Sequence, residues 1–103
     1  MDVAGVSYRV LTVDLSNANS DKQQLVSPGQ EIAEVFSLTF PDGAEFGLAF
    51  GQGDAIKIDR PFSFAPDEPD TREYGLFYTV PFAQPGVNVQ IVVGGASVAR
   101  QAQ

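Results

Sequence analysis

The chain has 103 residues, 44% of them hydrophobic, which suits one domain with one core. Thirteen acids face six bases for a formal net charge of −7, and histidine, cysteine and tryptophan are absent. This balance argues against nucleic acid as a partner, because phosphate neutralisation needs clustered Lys and Arg; it also removes disulfides, thiolate sites and the commonest general base and metal ligand.

Met1-Asp2-Val3-Ala4-Gly5 carries an acid and no basic run, so it does not read as a signal peptide. No stretch approaches the ~20 apolar residues of a membrane span, and no membrane partner is expected. Val6 to Leu15 reads as the first strand. Its two faces are both largely apolar in the middle, which predicts a strand covered on both sides, or covered on one by a neighbouring subunit. Ser16 to Asp21 reads as a polar turn, since Asn, Ser and Asp side chains bond nearby backbone groups. Lys22 to Val26 is ambiguous, a candidate short edge strand, and Ser27-Pro28-Gly29-Gln30 is a turn.

Phe36-Ser37-Leu38-Thr39-Phe40 and Phe46-Gly47-Leu48-Ala49-Phe50 each place large hydrophobes on one face. Pro41-Asp42-Gly43-Ala44 lies between them, so the pair predicts a hairpin. Gly51-Gln52-Gly53-Asp54 reads as a second hairpin turn, leading to Ala55–Asp59 with Ile56 and Ile58 on one face. Arg60 to Phe64 is extended, and Pro61 places it at an edge or in a loop. Ala65 to Thr71, rich in proline and acids, reads as a surface loop. Glu73 to Val80 reads as a strand with Tyr74, Leu76, Tyr78 and Val80 together. Pro81 to Gly86 turns the chain into a last strand, where Val87, Val89, Ile91 and Val93 alternate with more polar residues until Gly94-Gly95 ends it.

These elements predict an all-β fold without a convincing helix: a single antiparallel β-sandwich, jelly-roll-like, or a small barrel, of about seven to eight strands. Residues 1–103 form one domain in this reading, with 96–103 a flexible or partner-bound tail.

Chemistry is sparse. Asp54, Asp59, Asp67, Glu68 and Asp70 gather in one third of the chain, but at turn positions, where carboxyls are exposed and lack the apolar pocket that a glycosidase acid needs. The same oxygen-rich loop matches no calcium-loop spacing. Gly51-Gln52-Gly53 lacks the helix and lysine of a phosphate cradle. No catalytic residue, metal ligand or cofactor is therefore assigned. Aromatic residues are numerous, and an aromatic row on a sheet face can also serve as a carbohydrate platform. Phe62, Phe64 and Phe82 adjoin prolines in extended or loop segments, which makes them candidates for a subunit interface. Gln84 and Pro85 of the Pro81–Gly86 turn and Arg100 of the tail complete the candidate contact set.

Three stretches together resemble small structural proteins of tailed bacteriophage virions. They are Leu11 to Ala18 with its Asn/Ser/Asp turn, Phe46 to Ile58, and Leu76 to Val80 followed by Ala83-Gln84-Pro85-Gly86 and a closing Val-Gln-Ile-Val-Val-Gly strand. The resemblance implies a capsid decoration or cement protein, or a minor neck or tail component, without catalytic residues. It implies a location in the virion after synthesis in the host cytoplasm. Its implied partners are the major capsid protein or other virion proteins, and further copies of itself in a homo-oligomer. A ligand-binding module for carbohydrate is the alternative from another class.

Overall fold

The protein is described here by a computed structural model, which covers residues 6–30, 32–66 and 69–96. In chain order the elements are β1 (Val6–Asp14), β2 (Asn19–Val26), β3 (Glu34–Thr39), β4 (Phe46–Phe50), β5 (Ile56–Ile58), β6 (Ser63–Phe64), α1 (Pro69–Tyr74), β7 (Leu76–Val80) and β8 (Asn88–Ala96). One four-stranded sheet runs β1-β8-β3-β6 and the other β2-β7-β4-β5, with every pairing antiparallel. Two separate sheets make this a sandwich rather than a barrel. Except for β4 to β5, each connection crosses from one sheet to the other, giving the doubled Greek-key order of a jelly roll.

Alternation builds the core. Val13, Val35, Val89, Ile91 and Val93 point inward from the first sheet, and Val26, Phe46, Leu48, Leu76 and Val80 from the second. Each such side chain contributes about 1.5–3 kcal/mol by leaving water.

The sequence reading needs correction in several places. Pro41 to Ala44 does form a turn, with Ala44 N–H bonded to Pro41 O at 3.1 Å and Gly43 at φ 83°. Yet the turn joins two sheets, so β3 and β4 do not form a hairpin. Val35, paired with Val93, takes the inward position in β3, which turns Phe36 and Leu38 outward. A register shift between Ser37 and Thr39 then lets Phe40 pack against the core. The hairpin of consecutive strands is β4–β5, closed by the Gly51–Ala55 loop.

A short helix, α1, occupies part of the segment read as loop and strand. Pro69 opens it with a pre-set helical φ. Gly75 closes it at φ 100°, donating to Thr71 O at 2.7 Å in the left-handed cap that glycine adopts without strain. Tyr74 thus leaves the strand face on which Leu76, Tyr78 and Val80 remain.

Two strands run longer than expected. β2 takes in Asn19–Asp21, read as turn, because β7 supplies a ladder partner at Val80. β8 continues through Gly94-Gly95, because β1 and β3 bond it on both sides. Ladder bonds from two neighbours outweigh the weak strand preference of glycine.

Candidate functional site

The outer face of the second sheet is covered by its own chain over Gly47 and Ala49. Ala49 lies on that face by alternation with Leu48, yet it is fully buried. Ala55 of the β4–β5 loop sits over Gly47, where a Cβ would come within 3.0 Å of the Ala55 methyl and also collide with Thr79 Oγ1. Lys22 reaches across to donate to Gly53 O at 2.7 Å, holding the loop in place.

Among the described residues no loop covers the first sheet in this way, although Val92, between Val10 and Phe36, is itself only 7% exposed. The ladder of this sheet places Val10 opposite Val92 and Val92 opposite Phe36, and one row further it aligns Tyr8, Gly94 and Glu34. Tyr8 is 57% exposed, Val10 56% and Leu38 55%. Because Gly94 has no side chain, the Tyr8 hydroxyl passes over it and donates to Glu34 Oε2 at 2.6 Å. The bond to that carboxylate, reinforced by its negative charge, raises the Tyr8 phenol above its usual range. The result is an apolar stripe on a rigid sheet, flanked by a fixed Tyr–Glu pair. Sequence reasoning saw that β1 is apolar on both faces, but it placed the candidate contacts elsewhere.

Phe62 and Phe64 lie along the side of the sandwich, partly buried against the core. Phe62 stacks edge-on to Phe46 at 6.0 Å and Phe40 at 6.5 Å, and Phe64 to Phe50 at 5.6 Å. Ser37 and Phe62 exchange two hydrogen bonds, Ser37 N–H to Phe62 O at 3.1 Å and Phe62 N–H to Ser37 Oγ at 3.2 Å. Much of the surface of these two rings is thus committed within the chain.

Gln84 is 7% exposed and acts as a strut rather than a surface contact. Its Oε1 accepts Glu45 N–H at 2.9 Å, and its Nε2 donates to Glu45 O at 2.8 Å and to Phe82 O at 3.1 Å. Its own N–H donates to Leu15 O at 2.7 Å. One side chain and its amide therefore tie three interstrand loops together. Phe82, 47% exposed, and Pro85 stay on the surface of that loop cluster. The structure thus keeps Phe82, Gln84 and Pro85 in one turn, while Phe62 and Phe64 flank a separate aromatic cluster. Arg100 and most of the 96–103 tail lie outside the described residues, as do Asp67 and Glu68 of the acidic loop.

Of the remaining acids, Asp59 is held by Arg60 Nε at 3.1 Å and Lys57 Nζ at 3.8 Å. The Arg60 hydrogen bond, with the charge of both cations, lowers its carboxyl below the usual range. Asp14 caps the turn after β1 by accepting Ser16 N–H at 2.9 Å, and that bond lowers its carboxyl too. Both are surface tethers. Among the described residues there is no cluster of three or more Asp, Glu, His or Cys side chains placed to hold a metal ion, and no helix long and apolar enough to cross a membrane.

No family model, no curated protein and no solved structure matches the chain, so the outer face of the first sheet is read from its own geometry alone.

Proposed function

We propose that this chain is a non-enzymatic structural protein of a virus particle, a decoration or cement protein that binds the assembled capsid and oligomerises on it. The observation that carries the reading is the apolar stripe of exposed Tyr8, Val10 and Leu38 with half-buried Phe36 on a small sandwich. Exposed apolar patches rimmed by polar groups mark protein contact sites. Here the stripe is mounted on β-ladder rather than on loops, so docking orders little chain and loses little entropy. A capsid lattice offers many identical sites, and linked copies attach through effective concentration even when each contact is weak. The resemblance of the Leu11–Ala18, Phe46–Ile58 and Leu76–Gly94 stretches to phage structural proteins supports the same assignment. Fold alone does not, since jelly rolls also serve as lectins.

The test is co-sedimentation of purified protein with assembled capsids of the phage that encodes it. Saturable binding that Val10→Lys or Leu38→Lys weakens at least about tenfold supports the reading. Absence of binding at about 100 μM protein overturns it. The carbohydrate alternative makes the opposite forecast: the isolated chain would bind sugars, and Tyr8→Ala would abolish that binding while capsids were ignored.

A further inference from the structure

A sandwich has four strand edges, and this one protects three of them. β5 and β6 are edges of only 3 and 2 residues. β2 is longer, but polar throughout its middle (Ser20, Asp21, Lys22, Gln23, Gln24) and broken by two register shifts against β7. Short length, charge and bulges are the usual means by which edges resist pairing. β1 is neither short nor bulged, and its two charges, Arg9 and Asp14, are of opposite sign. It is 9 residues long, pairs with β8 in unbroken register, and among the described residues has no neighbour on its other side.

Its free backbone groups can be assigned. Leu15 N–H, one residue past β1, donates to Val87 O at 3.0 Å. Leu15 and Val87 therefore continue the ladder as a hydrogen-bonded pair, and alternation makes Val13, Leu11 and Arg9 the residues bonded to β8. The N–H and C=O groups of Tyr8, Val10 and Thr12 then point off the sheet, into the free edge. These are also the residues whose side chains line the outer face.

We propose that β1 is a self-pairing edge, on which a second copy of this chain adds its own β1 antiparallel about a two-fold axis at Val10, joining the two uncovered sheets into one. Full overlap of the strand sets the register. Val10 lies opposite Val10 of the second copy, Tyr8 opposite Thr12, and Val6 opposite Asp14. The row Phe36–Val92–Val10 then continues into Val10–Val92–Phe36 without a polar interruption. Tyr8 and Thr12 make an aromatic–β-branched cross-strand pair, which sheets favour. The strand holds one Arg and one Asp, so the seam carries no net charge although the whole chain carries −7. Repulsion between the remaining charges is screened beyond about 8 Å at physiological salt. An isologous seam closes on itself and stops at two copies. The inference rests on the self-association in the proposed function and gives it an address.

The full chain tests it without any capsid. Light scattering on the purified protein up to about 1 mM gives a concentration-dependent dimer. Val10→Lys sets two ammonium groups against each other at the axis and weakens the dimer at least about tenfold, while its circular dichroism and melting stay those of the parent. Leu38→Lys, on the same face but off the seam, leaves the dimer intact. Because the chain has no cysteine, Val10→Cys reports register directly. Facing residues in a bonded antiparallel pair sit about 5.5 Å apart, within disulfide range. Thr12→Cys thiols would lie about 14 Å apart, from the rise of a strand. On oxidation Val10→Cys cross-links at least about tenfold faster than Thr12→Cys. A parent that stays monomeric at about 1 mM, a dimer broken equally by Leu38→Lys, or equal cross-linking at the two positions overturns the proposal. Since none of these readouts involves particles, a failed dimer leaves capsid attachment standing, and failed attachment leaves the dimer standing.

Discussion

Gln84→Ala tests the polar strut that ties the loops together outside the apolar core. Truncation removes the acceptor for Glu45 N–H and the donor for Glu45 O and Phe82 O. A neutral hydrogen bond contributes about 1 kcal/mol net, and a buried group left without a partner loses about 1–3 kcal/mol. Glu45 is only half-buried, so water reaches part of what Gln84 vacates. The expected loss is about 3 kcal/mol, or about 12–20 °C in Tm for a domain of this size. Urea unfolding followed by circular dichroism checks it as a lower midpoint at unchanged slope. Gln84→Glu sharpens the test, since it keeps the shape and one acceptor but points a carboxylate oxygen at two carbonyls. That repulsion raises the new carboxyl above its unfolded value. The deficit is then largest at neutral pH and shrinks as pH falls through the raised value. A Gln84→Ala protein within about 0.5 kcal/mol of the parent, or a Gln84→Glu deficit independent of pH, would refute the strut.

Further outcomes follow from the same geometry. Gly75→Ala forces a side chain into the left-handed region at φ 100° and against Val26 O, so a loss above about 3 kcal/mol is expected, read as a failure to melt cooperatively near the parent Tm. Thr71 is fully buried with no hydrogen bond to Oγ1, so Thr71→Val keeps the shape, removes an unsatisfied hydroxyl and raises stability by about 1 kcal/mol in urea melts; a loss of that size would show a missed partner. Asp14 and Asp59 are depressed below their unfolded value of 3.8, so their contribution is complete above that value and lost as pH falls through the lower folded ones. An acid titration of Asp14→Asn should show a shallower decline than the parent below pH ~4, and an identical decline would contradict the Ser16 tether.

Much of the architecture was legible from period and punctuation. Val87 to Val93 alternates so cleanly that its inward face could be read directly, and Val89, Ile91 and Val93 are buried as the pattern requires. Gly51-Gln52-Gly53 marked a true hairpin. The same rules misread Pro41 to Ala44, because a turn signal specifies a reversal and not which sheet receives the next strand. They also missed α1, whose length is below what periodicity can register. Its two markers, Pro69 and Gly75, were in view but read as loop and strand.

The candidate site was half legible. Two apolar faces on β1 announced that something covers each, but only the paired sheets show which cover is missing. Gln84 gave no signal at all, since a glutamine in a turn looks the same whether it faces water or grips a neighbouring loop 39 residues away in sequence.

By itself the sequence determined the local facts: where most turns fall, which residues alternate, and which chemistries have no side chains to run on. These depend on short-range sterics and on residue identity. Only the tertiary structure decided the pairing of distant strands and the covering of Gly47 and Ala49 on one outer face by the Gly51–Ala55 loop, with no loop among the described residues over the other. Those outcomes turn on how many apolar side chains two sheets can bury together, a quantity that belongs to the whole chain and to no segment of it.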